Sequence, residues 1–189
     1  ARGLHRDGYR VVIHYRGSAE EAGRLREELE GRRPDSAALI QADLTDTAAL
    51  PGLVDQACGC FGGLDVLINN ASSFYPTPLG TVTEAHWTDL VGSNLKAPLF
   101  LAQAAAPMLQ ERRGTILNMI DIHARKPLRR HPVYTAAKAG LAALTLSLAR
   151  DLAPEVRINA LAPDLIADNE DMSNEIVIEA IGGTPLNRL

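Results

Sequence analysis

The chain has 189 residues, 46% of them apolar and 22% charged, which suits one globular domain with a sizeable core and excludes a disordered chain. The formal net charge is −4 and no basic stripe appears, so nucleic acid is not an expected partner. No apolar run reaches membrane-span length, no signal-peptide pattern opens the chain, and the two cysteines, Cys58 and Cys60, lack further metal-ligand partners, so a cytoplasmic protein with reduced thiols, no membrane partner and no metal site is expected.

Strand-like and helix-like runs alternate along the chain. Ala1 to His5 reads as the end of a helix, and the turn Asp7-Gly8 introduces a buried strand from Arg10 to Tyr15. Ala19 to Glu30 is helical with Ser18 as its N-cap, Ser36 to Gln41 is a strand, and Thr47 to Phe61 is a helix ended by Gly62-Gly63. Val66 to Ile68 is a strand running into Asn69-Asn70. Helices lie within Thr83 to Ser93 and Leu95 to Glu111, followed by a strand from Thr115 to Ile120. Pro132 to Leu152 carries a helical apolar stripe at Val133, Ala137, Leu141, Leu144 and Leu148. Val156 to Leu161 is the last strand, and a helix is expected near Ser173 to Ile181. Short apolar strands separated by helices predict an α/β fold: a doubly wound, Rossmann-like parallel sheet between two helical layers.

In such a fold the first strand feeds a glycine-rich turn and occupies the middle of the sheet, here between the strands at Arg10 and Val66. Neither that strand nor a closing strand after the last helix is found, so a gap lined by unpaired backbone groups is expected, and both ends read as trimmed from a single dinucleotide-binding domain over residues 1–189.

The chemistry centres on Tyr134-x-x-x-Lys138 at the start of a helix. A spacing of four puts both side chains on one face, where an ammonium favours a phenolate and lowers the phenol's pKa for proton transfer. The motif is common by chance, but its company is not. Asp43, Asn69-Asn-Ala71, Asn94 and Asp121 all stand at or just beyond a strand's carboxyl end, or on an adjoining helix, at the edge where open α/β sheets bind ligands. Any one of them alone reads as a turn residue or helix cap.

With Asn159-Ala-Leu-Ala-Pro163, this set resembles the short-chain dehydrogenase/reductase family over essentially the whole chain. The resemblance implies that Asp43 contacts the adenine, that Asn69, Ala71 and Pro163 belong to the cofactor site, and that Asn94 holds a proton-relay water. It also implies that Tyr134 is the acid and that Lys138 binds the nicotinamide ribose and tunes Tyr134. Two features narrow it. Asp121 stands where relatives usually carry serine; an ionised aspartate only accepts hydrogen bonds, which suits a substrate with N–H groups better than a simple ketone. The run Asn69-Asn-Ala-Ser-Ser-Phe-Tyr-Pro-Thr-Pro-Leu79 resembles that of pteridine and dihydromonapterin reductases, in which the aromatic at the Phe74 position stacks on the pterin and the serine at the Ser72 position borders the same pocket.

At the end of the second strand of such a fold, His14-Tyr-Arg-Gly-Ser18 lacks the acid that would accept from a ribose 2′-hydroxyl. Arg16 and Ser18, with His14, suit a 2′-phosphate, so NADPH is the expected cofactor. Asp164 stands where relatives carry glycine, which adds charge and restricts backbone approach on the substrate side. Alanine-rich stretches at Ala102–Ala106 and Ala136–Ala143 suit close helix packing, either within the chain or in a homo-oligomer; the resemblance implies a tetramer. The sequence thus points to hydride transfer from NADPH to a pterin. The rivals are a reductase of the same family acting on another carbonyl or imine, and a non-catalytic nucleotide-binding protein of the same fold.

Overall fold

The computed structural model describes residues 1–163. The elements run α1 (Arg2–Arg6), β1 (Val11–Tyr15), α2 (Ala19–Arg32), β2 (Ala37–Gln41), α3 (Leu50–Phe61), β3 (Val66–Asn69), α4 (Glu84–Val91), α5 (Ala97–Glu111), β4 (Thr115–Met119), α6 (Pro132–Asp151) and β5 (Arg157–Leu161). The helix expected near Ser173 to Ile181, and Asp164, lie outside the described residues.

Among the described residues every strand pairing is parallel: β1 with β2, β3 with β4, and β4 with β5. This is the α/β, Rossmann-like arrangement expected, and parallel pairing puts the carboxyl ends of neighbouring strands on one edge. Among the described residues the strands form two separate sheets, β1-β2 and β3-β4-β5. Between them lies a cavity of about 690 Å³, lined by Val11–His14 on one side and Val66–Ala71 on the other. The expected gap is therefore real, and it falls between the strands beginning near Arg10 and Val66.

The helices form where their caps allow. Thr83 opens α4 with a reciprocal capping box, its hydroxyl accepting from the His86 N–H and its own N–H donating to His86 Nδ1. Gly62 ends α3 in the left-handed conformation that favours glycine. Ser18 stands at the N-cap position of α2 as expected, but its side chain makes no capping hydrogen bond. The core gathers α3 and α5 over the strands, with Leu50, Leu101, Leu109 and Ile116 buried; each such side chain contributes about 1.5–3 kcal/mol relative to exposure.

One element departs from expectation. Asn94 lies between α4 and α5 as expected, but the helix does not break there. Gly92–Lys96 forms a π-helical turn that continues α4 directly into α5. Such single turns widen the helix locally and re-aim its side chains. The turn packs tightly on α6, since a Cβ on Gly140 would come within 2.8 Å of Leu95 Cδ2. A short 3-10 turn, Ile122–Ala124, also follows β4 where the sequence carried no helical signal.

Candidate active site

Parallel strands β3, β4 and β5 deliver Asn69, Asp121 and Pro163 to one edge, and α6 enters the same region with Tyr134 and Lys138 on one face. The Tyr134 phenol donates to Asp121 Oδ2 at 2.7 Å, and Asp121 Oδ1 accepts from the His123 N–H at 2.8 Å. The 3-10 turn is what supplies that second donor, so both carboxylate oxygens of Asp121 are engaged. Lys138 Nζ donates to the Met119 carbonyl at 2.8 Å and lies 5.6 Å from the centroid of the Tyr134 ring. The three residues expected to act together do meet.

Their electrostatics differ from the sequence reading. The Tyr134 phenol is held above its ordinary range, first by burial and then by its hydrogen bond to Asp121 and that carboxylate's charge; the Ser72 hydroxyl opposes this. The Lys138 ammonium donates to a main-chain carbonyl, and burial and Asp121 set the direction of the phenol's shift. Burial pushes Lys138 itself down to about 8, against the attraction of Asp121. The phenol is thus kept protonated at neutral pH, as a proton donor requires.

Asn94, 1% exposed, anchors the loop after β3. Its amide donates to the Ser73 and Leu90 carbonyls, both at 2.9 Å, and its oxygen accepts from Ser72 Oγ at 2.7 Å. Both amide hydrogens are thus used within the protein. The loop so fixed presents Phe74, 57% exposed, with its ring 4.8 Å from that of Tyr134, edge to face. The imidazole of His131 stacks on Phe74 at 4.9 Å with the two planes 8° apart. Sequence reasoning passed over His131, although its position three residues before Tyr134 was a usable signal.

Asn69 is tied into a buried chain that also escaped the sequence. Asn69 Nδ2 donates to Asn118 Oδ1 at 2.8 Å, Asn118 Nδ2 to Thr145 Oγ1 at 2.9 Å, and the Thr145 hydroxyl to the Leu141 carbonyl at 2.7 Å. These bonds lock β3, β4 and α6 together and set the register of the catalytic edge. Asn69 Oδ1 is buried without a partner, and leaving such an acceptor unpaired costs about 1–3 kcal/mol.

The other cofactor candidates stand at the end of β1 and beyond β2. The hydroxyl of Ser18 is not spent on a cap. Arg16 Nη1 lies 3.3 Å from Asp89 Oδ1 on α4, and His14 Nε2 lies 2.9 Å from the Ala42 carbonyl. Asp43 accepts from both the N–H and the hydroxyl of Thr45, which hold its carboxyl below the usual range. Ala71 lines the cavity between the sheets with Asn69 and His14. Pro163 reaches the substrate side through its carbonyl, which accepts from the Ile122 N–H at 3.3 Å. An exposed cation and an uncapped hydroxyl at the end of β1 fit a nicotinamide dinucleotide. Asp89 was missed by sequence reasoning. It holds Arg16 with one oxygen and accepts from the Tyr75 phenol with the other at 3.0 Å, joining the end of β1 to the Phe74 loop.

The geometry agrees with what comparison with known proteins finds. A family model described as short chain dehydrogenase matches residues 1–178. Pteridine reductase 1 of Leishmania tarentolae is 39% identical, over 91% of this chain and 73% of that one. The 3-oxoacyl-(acyl-carrier-protein) reductase FabG of Staphylococcus aureus is 34% identical, over 98% of this chain and 76% of that one. A phenol, an ammonium and a carboxylate gathered at the edge of a parallel α/β sheet, with that match across nearly the whole chain, place the protein as an oxidoreductase belonging to the short-chain dehydrogenase family.

Proposed function

We propose that this protein is an NADPH-dependent reductase that adds hydride to a pterin ring, of the dihydropterin or dihydrofolate-like class. The observation that carries this reading is the Tyr134–Asp121 hydrogen bond beside the exposed face of Phe74. A carboxylate there is poorly suited to a ketone oxygen, which needs a donor, and well suited to a heterocycle with N–H groups.

Bound NADPH would supply the hydride. Arg16 and Ser18, with His14, would hold the 2′-phosphate, Asp43 the adenine, and Asn69, Ala71 and Pro163 the rest of the dinucleotide, while Lys138 would hold a ribose hydroxyl. Tyr134 and Asp121 hold a proton between them, and the phenol gives it to the ring nitrogen next to the reduced carbon. The Lys138 cation then offsets the phenolate charge. Asn94 acts by positioning Ser72 and Phe74. The similarity to pteridine reductase 1 favours a pterin, and the similarity to FabG keeps a carbonyl substrate as the second reading. Leu99 on α5 and Leu146 on α6 are exposed, which supports a homo-oligomer, in our reading a tetramer; we place it in the cytoplasm.

The test is NADPH oxidation with dihydrobiopterin, dihydrofolate, a 3-oxoacyl thioester and a simple ketone. Turnover of the pterins, lost in Tyr134→Phe, is expected. Turnover of the carbonyl compounds alone overturns the pterin reading, and no turnover with any of them favours a non-catalytic nucleotide-binding protein.

A further inference from the structure

The segment from Ile122 to His131 joins Asp121 to the start of α6, so it rims the site just described. It carries Arg125, Lys126, Arg129 and Arg130 within six residues, and no acidic residue occurs between Asp121 and Asp151. In a chain of net charge −4 this is a local reversal of sign. All four cations are exposed, and among the described residues none of them is in an ion pair. The loop is fastened to the site at several points. His131 stacks on Phe74, the Arg130 carbonyl accepts from the Thr77 N–H at 2.7 Å, and the Lys126 carbonyl is 2.9 Å from His123 Nδ1. Arg130 holds φ 65, the left-handed backbone that favours glycine, so a cation is kept there at a conformational cost.

We infer that this loop is an anion subsite, which takes a carboxylate or phosphate carried on the substrate beyond the ring that stacks at Phe74. The inference rests on the pterin reading and narrows it to the class of substituent. His131, which stacks on Phe74, directly follows Arg129 and Arg130 in the chain, so a substituent leaving such a ring past His131 would meet the segment that carries both cations. One-signed charge around a cleft mouth raises the local concentration of an oppositely charged ligand, and the effect fades with salt. An exposed cation–anion pair gives a factor of ~1.5–5 in affinity, so several together give about tenfold.

The experiment compares KM at low and high salt for dihydrofolate, with its glutamate carboxylates, for a phosphorylated dihydroneopterin, and for dihydrobiopterin, whose side chain is uncharged. Two variants are used: Arg125→Gln, Lys126→Gln, Arg129→Gln and Arg130→Gln together, and Arg130→Gly alone, which suits the left-handed backbone and guards against misfolding. In the fourfold variant the KM for an anionic substrate is expected to rise about tenfold at low salt, with kcat unchanged and the KM for dihydrobiopterin within about twofold. Arg130→Gly should raise it by a factor of ~1.5–5. A rise for dihydrofolate alone assigns the subsite to carboxylates, and for the phosphorylated compound alone to phosphate. Equal changes for charged and uncharged pterins, or a change confined to the KM for NADPH, overturn the inference while leaving the pterin reading intact. No turnover of any pterin overturns both.

Discussion

Removing the phenol oxygen in Tyr134→Phe tests the central pair. Tyr134 is 4% exposed and its hydroxyl donates to a carboxylate oxygen at 2.7 Å. A hydrogen bond to a charged acceptor contributes about 1.5–3 kcal/mol, and at this chain length each kcal/mol moves Tm by about 2–4 °C. A Tm lower by roughly 3–12 °C is therefore expected, together with a loss of roughly 10²–10⁴ in turnover from removing the acid. Asp121→Asn keeps an acceptor but removes the charge, so its phenol should ionise at lower pH than in the parent, still above the ordinary value because burial remains. The pH sign follows from the raised phenol. The folded chain holds this proton more tightly than the unfolded one, so the stabilisation is complete below about pH 10 and is lost as pH rises through the folded value. Asp121→Asn should reduce that alkaline loss. Calorimetry of the parent, both single variants and the double variant gives a coupling energy, expected at about 1 kcal/mol or more. Additive effects within about 0.3 kcal/mol, or full turnover in Tyr134→Phe, would refute the reasoning.

Three further outcomes are expected. Because burial depresses Lys138 to about 8, its cation is present below that pH and lost above it, so turnover should fall on an alkaline limb near pH 8 that Lys138→Arg moves upward. The same depression makes this group's contribution to stability rise from about pH 8 to about pH 10.4, where the unfolded lysine also loses its proton, and alkaline thermal denaturation reads that sign. Asp89→Asn removes the carboxylate that competes with a 2′-phosphate for Arg16, so the KM for NADPH should fall by up to about fivefold while that for NADH stays constant; equal changes for both cofactors would show that Asp89 acts only through the Tyr75 loop.

Local signals alone made most of the fold legible. Period and caps placed β1 to β5 and the long helices within a few residues, because short apolar runs, Thr83, Gly62 and Pro132 act on their own neighbourhoods. The i, i+4 spacing fixed Tyr134 and Lys138 on one face, and the missing central partner of β1 and β3 was legible because parallel sheets have a set strand order. What required the tertiary structure was everything set by partners distant in the chain. The π-turn at Asn94, the chain from Asn69 through Asn118 to Thr145, the Arg16–Asp89–Tyr75 link and the His131–Phe74 stack join segments that no local pattern connects. The direction of the Tyr134 shift belongs with them, since it is set by burial and by a carboxylate thirteen residues away.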